Sequence, residues 1–202
     1  MVQILRIFFL TCVVFCLGCL QAAAISQDRM VKKIFLAGRQ PGQTLKYRSD
    51  YSPIPRKRVS ISEKYQPGTI VIRTGERRLY HVTSPGRAIA YGIGVGKEGF
   101  TWSGSNRISR KAEWPGWTPP ARMRAREAAK GRILPAYMPG GPDNPLGARA
   151  MYIGSTLYRI HGTNQPWTIG RAMSSGCIRM ANDDVRHLYD NVAVGTRVVV
   201  TR

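Results

Sequence analysis

Glycine and proline set the first limit on this chain, with 21 and 13 of them among 202 residues. Each glycine in a helix interior costs about 1 kcal/mol and each proline about 3. Such density argues against a helical bundle and for short strands joined by loops. The apolar runs between the breaks agree. Segments 69–73 and 78–82 flank a Thr74-Gly75-Glu76 turn and read as a hairpin. Segments 87–95, 148–153, 157–161 and 196–201 read as further strands. Two short helices are expected. One lies around 121–130. The other starts at Asn182-Asp183-Asp184, with an N-cap and acids in its first turn, and continues through Val185, Leu188, Tyr189 and Val192 at helical spacing. The Pro-, Gly- and Trp-dense stretch 100–147 is expected to cross the sheet as loops.

The net charge of +20 makes nucleic acid the first partner to consider. The N-terminus points elsewhere. Residues 7–20 are apolar and uncharged, and Ala22-Ala23-Ala24 offers small residues for cleavage, so 1–24 reads as an export signal. An uncleaved anchor and a lipoprotein signal at Gly18-Cys19 are the alternatives. Each places the folded part outside the cytoplasm, in the periplasm or cell envelope, and nucleic acid drops out as a partner. Residues 25–66 read as a basic extension. Its 26–66 stretch holds ten Lys/Arg against three acids without sustained periodicity. It is expected to be a solvated, partly disordered arm that docks electrostatically on an anionic envelope surface. One folded domain is expected over 67–202.

Cleavage also removes Cys12, Cys16 and Cys19, leaving Cys177 alone. It follows His161 by sixteen positions, across a polar Gly/Pro loop and a small-residue turn, Ser174-Ser175-Gly176. A thiolate is a nucleophile and a nearby imidazole can take its proton. Gly176 lets the backbone turn sharply, so its N–H and that of Cys177 are candidate oxyanion donors. Ser174 and Ser175 add hydroxyls, and Arg179 is placed to hold a substrate carboxylate. Spacing alone leaves two readings open: a Cys/His acyl-transfer site, or a buried cysteine beside a surface loop.

The stretch resembles the signature of the L,D-transpeptidase catalytic domain family. It matches at His161-Gly162, Ser174, Gly176-Cys177, Ile178 and Arg179. Segments 94–99, 117–120 and 141–147 look like family segments in family order. The resemblance implies a mainly β fold, a mixed-sheet β-sandwich with short helices. It implies Cys177 as nucleophile, His161 as general base and later acid, and a Gly162 carbonyl that orients the imidazole. It implies peptidoglycan stem peptides as substrate and no cofactor or metal. The acyl acceptor would be another stem, an outer-membrane protein or lipoprotein, or water. Two departures stand out. Ser175 occupies the place of the family's usual second His, and the usual Thr-Pro-Thr-Gly is Thr101-Trp-Ser-Gly104. Ser175 keeps open a second reading, a peptidoglycan-binding module without turnover. A third is a basic envelope-binding protein acting through its arm. With His161 as base, turnover is expected to fall at acid pH.

Elsewhere, His81 on an apolar strand reads as packing and His187 as a surface or capping residue. The three His and one Cys show no metal-site spacing. Trp102, Trp114, Trp117 and Trp167 fall in loops, as groove walls or as packing. Gly92, Gly94 and Gly96 do not form a dinucleotide fingerprint.

Overall fold

A computed structural model of the chain describes residues 50–97 and 102–202. The export signal, the greater part of the basic extension, Glu98-Gly99 and Thr101 lie outside the described residues. The strands are β1 (Lys57–Ser60), β2 (Ile70–Arg73), β3 (Arg78–Ser84), β4 (Arg87–Gly92), β5 (Val95–Gly96), β6 (Gly104–Glu113), β7 (Arg149–Ile153), β8 (Arg159–His161), β9 (Ala172–Ser174), β10 (Ile178–Arg179) and β11 (Arg197–Thr201). The helices are α1 (Ala121–Ala128) and α2 (Asn182–Asp190).

Nine strands form one mixed sheet in the order β1-β4-β3-β2-β11-β6-β7-β8-β10. β6 links its two halves. Gly104–Arg107 pairs with β11, and Ile108–Glu113 pairs with β7, with a register shift between Ile108 and Arg110. Such an irregularity bends a strand and adds twist. The halves therefore fold over one core, to which β2 gives Ile70 and Ile72, β7 gives Met151 and Ile153, β8 gives Ile160, and α2 gives Val185 and Leu188. This is the mainly β, mixed-sheet sandwich that the motifs imply. α1, by contrast, buries none of its residues.

The folded unit begins before Pro67. β1 pairs antiparallel with β4, from Lys57 opposite Ala90 to Ser60 opposite Arg87. Upstream of β1, Ile54 packs so closely on Gly92 that a Cβ there would lie 2.7 Å from its Cβ. Arg56 bonds both Asp183 and Asp184 of α2. Residues 50–66 are thus not a solvated arm. Their strand is short, charged and at the sheet edge, so it carries little apolar periodicity to be read.

Asn182 also differs from expectation. It makes no side-chain cap, and Ala181 precedes the helix instead. The Asn182 Oδ1 accepts from the Ala148 N–H at 3.0 Å, which turns it toward the site.

Candidate active site

Two parallel strands bring the chemistry together. Ile178 lies opposite Ile160 and Arg179 opposite His161. Alternation sends Ile160 and Ile178 into the core and puts His161 and Arg179 on the other face. Continued by one residue, the register sets Cys177 opposite Arg159 on that same face. The intervening loop folds back on the 93–97 segment. Gly94 and Arg179 exchange two backbone hydrogen bonds at 2.9 Å, and Lys97 N–H donates to the Ser174 carbonyl at 3.0 Å. The Met180 N–H closes the register on the His161 carbonyl at 2.8 Å.

His161 is 5% exposed. Its Nδ1 lies 2.6 Å from the Gly162 carbonyl. A carbonyl only accepts, so Nδ1 carries the proton and Nε2 is the basic atom. Gly162 is required by crowding: a Cβ there would strike Asn182 Oδ1 and lie 3.0 Å from Ala148 N. Burial above all, then the charge of Arg179 and, more weakly, Arg159, push the imidazole down to about 3. Burial pushes the Cys177 thiol up, against the pull of Arg159 and Arg179. Both effects favour uncharged forms, so the resting pair is a thiol and a neutral imidazole. The fall in turnover expected at acid pH is thereby moved to lower pH than an ordinary imidazole would set. The thiol donates to the Leu157 carbonyl at 3.7 Å, and no hydrogen bond joins it to the ring among the described residues.

The turn before the thiol is braced from within. Gly176 has φ of 111°, a conformation suited to glycine. The Ser174 hydroxyl accepts from the Gly176 N–H at 3.1 Å and donates to the Cys177 carbonyl at 2.6 Å. Ser174 and the Gly176 N–H are therefore engaged inside the turn and are not free oxyanion donors, contrary to expectation. The Cys177 N–H makes no hydrogen bond among the described residues and is the donor that remains. Ser175 is exposed and accepts from Arg126 of α1 at 3.1 Å.

A family model of the YkuD L,D-transpeptidase catalytic domain matches residues 67–200. The chain belongs to that family. The L,D-transpeptidase domain is 45% identical over 136 residues to a probable L,D-transpeptidase ErfK/SrfK of Escherichia coli K12, covering 65% of this chain and 43% of that protein. The chain thus spans less than half the length of that curated relative. A Brucella melitensis crystal structure, described as a probable carnitine operon oxidoreductase CaiA, is 48% identical with a TM-score of 0.50, over 75% of this chain and 96% of that one. The oxidoreductase label is that protein's own. An L,D-transpeptidase from Mycobacterium smegmatis, 19% identical with a TM-score of 0.51 over 66% of this chain and 58% of that one, shares the fold.

The remaining candidates of the L,D-transpeptidase domain make no hydrogen bond with His161 or Cys177 among the described residues. His81 is buried with Nδ1 unpartnered, and burial lowers its pKa. His187 is not a free surface residue: its Nδ1 lies 2.8 Å from the buried Tyr91 hydroxyl. Trp102 stacks on Tyr158 at 5.2 Å, whereas Trp167 is half exposed. Sequence reasoning missed Asn182, which holds the Ala148 backbone beside Gly162. It also missed Arg159, which the two-residue alternation 159–161 places on the His161 face.

Proposed function

We propose that this protein is an exported L,D-transpeptidase acting on peptidoglycan, with Cys177 as nucleophile and His161 as general base. The observation that carries the reading is the β8–β10 register, which gathers the thiol, an imidazole oriented by Gly162, and Arg179 on one face. His161 takes the thiol proton as sulfur attacks the L,D-amide carbonyl after diaminopimelate in a tetrapeptide stem. The Cys177 N–H donates to the oxygen as negative charge builds. The C–N bond breaks, His161 returns the proton to the departing amine, and D-Ala leaves. An acceptor amine, losing its proton to His161, then attacks the thioester and frees the thiol. Arg179 binds a stem carboxylate. A second stem as acceptor gives a cross-link, an envelope protein gives a covalent anchor, and water gives trimming.

The export signal and the basic residues before position 50 direct the domain to the anionic envelope. Among the described residues no helix is long and apolar enough to cross a membrane.

The test is intact mass after exposure to a carbapenem. A covalent adduct on the wild type that is missing from Cys177→Ala supports the reading. Two observations favour the second reading, a binding module without turnover: Ser175 stands where the family has His, and the thiol rests on Leu157. A folded wild type that forms no adduct selects it. Muropeptides and protein-linked peptides from cells with and without Cys177 identify the acceptor.

A further inference from the structure

The site face continues beyond the thiol. Arg110 of β6 lies opposite Tyr152 of β7, and Tyr152 opposite Arg159 of β8. With Cys177 across from Arg159, one row of side chains crosses four strands. Neighbouring strands lie about 4.8 Å apart, so Arg159 is one step from the nucleophile and Arg110 three. The two guanidiniums flank the Tyr152 ring, at 3.6 Å from its centroid for Arg110 and 5.4 Å for Arg159. Stacking of this kind holds a guanidinium in place without using its N–H donors.

Those donors are unspent. Eight ion pairs are formed among the described residues, and neither Arg159 nor Arg110 belongs to one. The Arg159 Nε is buried and has no hydrogen-bond partner. An arginine held against an aromatic ring, with a buried donor unmet and a nucleophile one strand away, is a receptor in want of an anion. A planar fork of N–H groups matches a carboxylate.

We propose that Arg159, steadied by Tyr152 and Arg110, binds a carboxylate of the peptide that Cys177 attacks and makes the site specific for peptides charged beside the scissile bond. The identity of that peptide rests on the transpeptidase reading; the carboxylate recognition does not. In a tetrapeptide stem two carboxylates flank the bond, one on diaminopimelate and one on the terminal D-Ala. Arg179, two residues on from Cys177, is left for the other.

Iodoacetate and iodoacetamide separate the two ideas, because both report on Cys177 without any peptide. In each, sulfur displaces iodide. An S–C bond forms as the C–I bond breaks, iodide leaves with the bonding pair, and the thiol proton passes to solvent. A change in thiol acidity alters both rates alike, so their ratio isolates recognition of the carboxylate. The ratio is measured on the full chain, from the peptide carrying Cys177. It is expected to fall about tenfold in Arg159→Gln and to recover partly in Arg159→Lys. Far-UV circular dichroism and the urea midpoint of the same variant serve as the control for folding. An unchanged ratio in Arg159→Gln overturns the proposal.

The second arm is turnover of the tetrapeptide with either carboxylate amidated. The amide that slows the wild type about tenfold, yet does not slow Arg159→Gln relative to its own rate on the free acid, names the carboxylate held. A wild type indifferent to both amides overturns the proposal. A wild type that turns over no tetrapeptide but keeps its alkylation ratio refutes the transpeptidase reading and leaves Arg159 as a carboxylate receptor.

Discussion

The buried imidazole makes a prediction about stability that needs no substrate. In the unfolded chain His161 titrates near 6.5; in the folded protein burial and the two arginines hold it at about 3. Above pH 6.5 both states are neutral, and the residue contributes no pH dependence. Between 6.5 and 3 the unfolded chain binds a proton that the folded protein refuses, so stability falls as pH falls. The slope is about 1.4 kcal/mol per pH unit, which gives a loss of roughly 3 kcal/mol between pH 7 and pH 4. At 5% exposure, solvent screens little of this. The assay is urea unfolding of the wild type and His161→Gln at both pH values. The glutamine amide can still donate to Gly162, and it does not titrate. His81, also lowered by burial, and the carboxylates contribute to both proteins and cancel in the difference of differences. His161→Gln is expected to lose roughly 3 kcal/mol less than the wild type over the interval. Equal losses refute the buried, unprotonated imidazole, and with it the neutral resting pair.

Other consequences follow from the same geometry. A chain starting at residue 67, where the family match begins, lacks β1, Ile54 and the partner of Asp184. It is expected to be about 2 kcal/mol or more less stable in urea than a chain starting at residue 50, because Asp184 stays buried without Arg56. Asn182→Ala strands the Ala148 N–H beside Gly162 and is expected to cost about 1–3 kcal/mol. It should also slow carbapenem acylation more than Asn191→Ala, a change at the far end of α2. Alkylation of Cys177 by iodoacetamide is expected to keep rising with pH past the ordinary thiol range, since burial disfavours the thiolate. A plateau at neutral pH, read from the mass of the Cys177 peptide, contradicts that assignment.

What was legible in the sequence was what alternation and punctuation encode. The runs 69–73, 78–82, 148–153 and 196–201 carry β-branched or apolar residues between breaks, and each contains a strand. His161 and Cys177 stood out because a Gly/Pro loop separates two residues with complementary chemistry. The internal brace of the turn was not legible. Ser174 and Ser175 are the same residue type, yet one is buried and doubly bonded while the other meets Arg126 at the surface. The φ of Gly176 and the Lys97 N–H on the Ser174 carbonyl accompany that difference, and neither is written in the residue types. Residues 50–66 misled because their ties are non-local, β1 to β4 and Arg56 to Asp183 and Asp184 more than a hundred residues away. Ion pairs of that span leave no local period.

The two arginines bear on catalysis in a way that the pair's chemistry makes testable. Proton transfer from Cys177 to His161 creates a thiolate and an imidazolium together. A fixed cation near both stabilises the first and penalises the second. Arg159 and Arg179 do both, lowering the pKa values of thiol and imidazole alike. The two effects oppose each other in the difference between the two pKa values, which sets the cost of the transfer. Burial instead opens that difference, raising one and lowering the other. A carboxylate seated on Arg159 then offsets a charge whose effects on thiol and imidazole oppose each other in the transfer, so the arginine is expected to act on substrate binding more than on the chemical rate. Arg159→Gln is expected to raise KM for an acidic tetrapeptide about tenfold while kcat stays within about threefold. A fall in kcat of a hundredfold with KM unchanged would mean that Arg159 acts on the transition state itself, and the separation of binding from proton transfer would not hold.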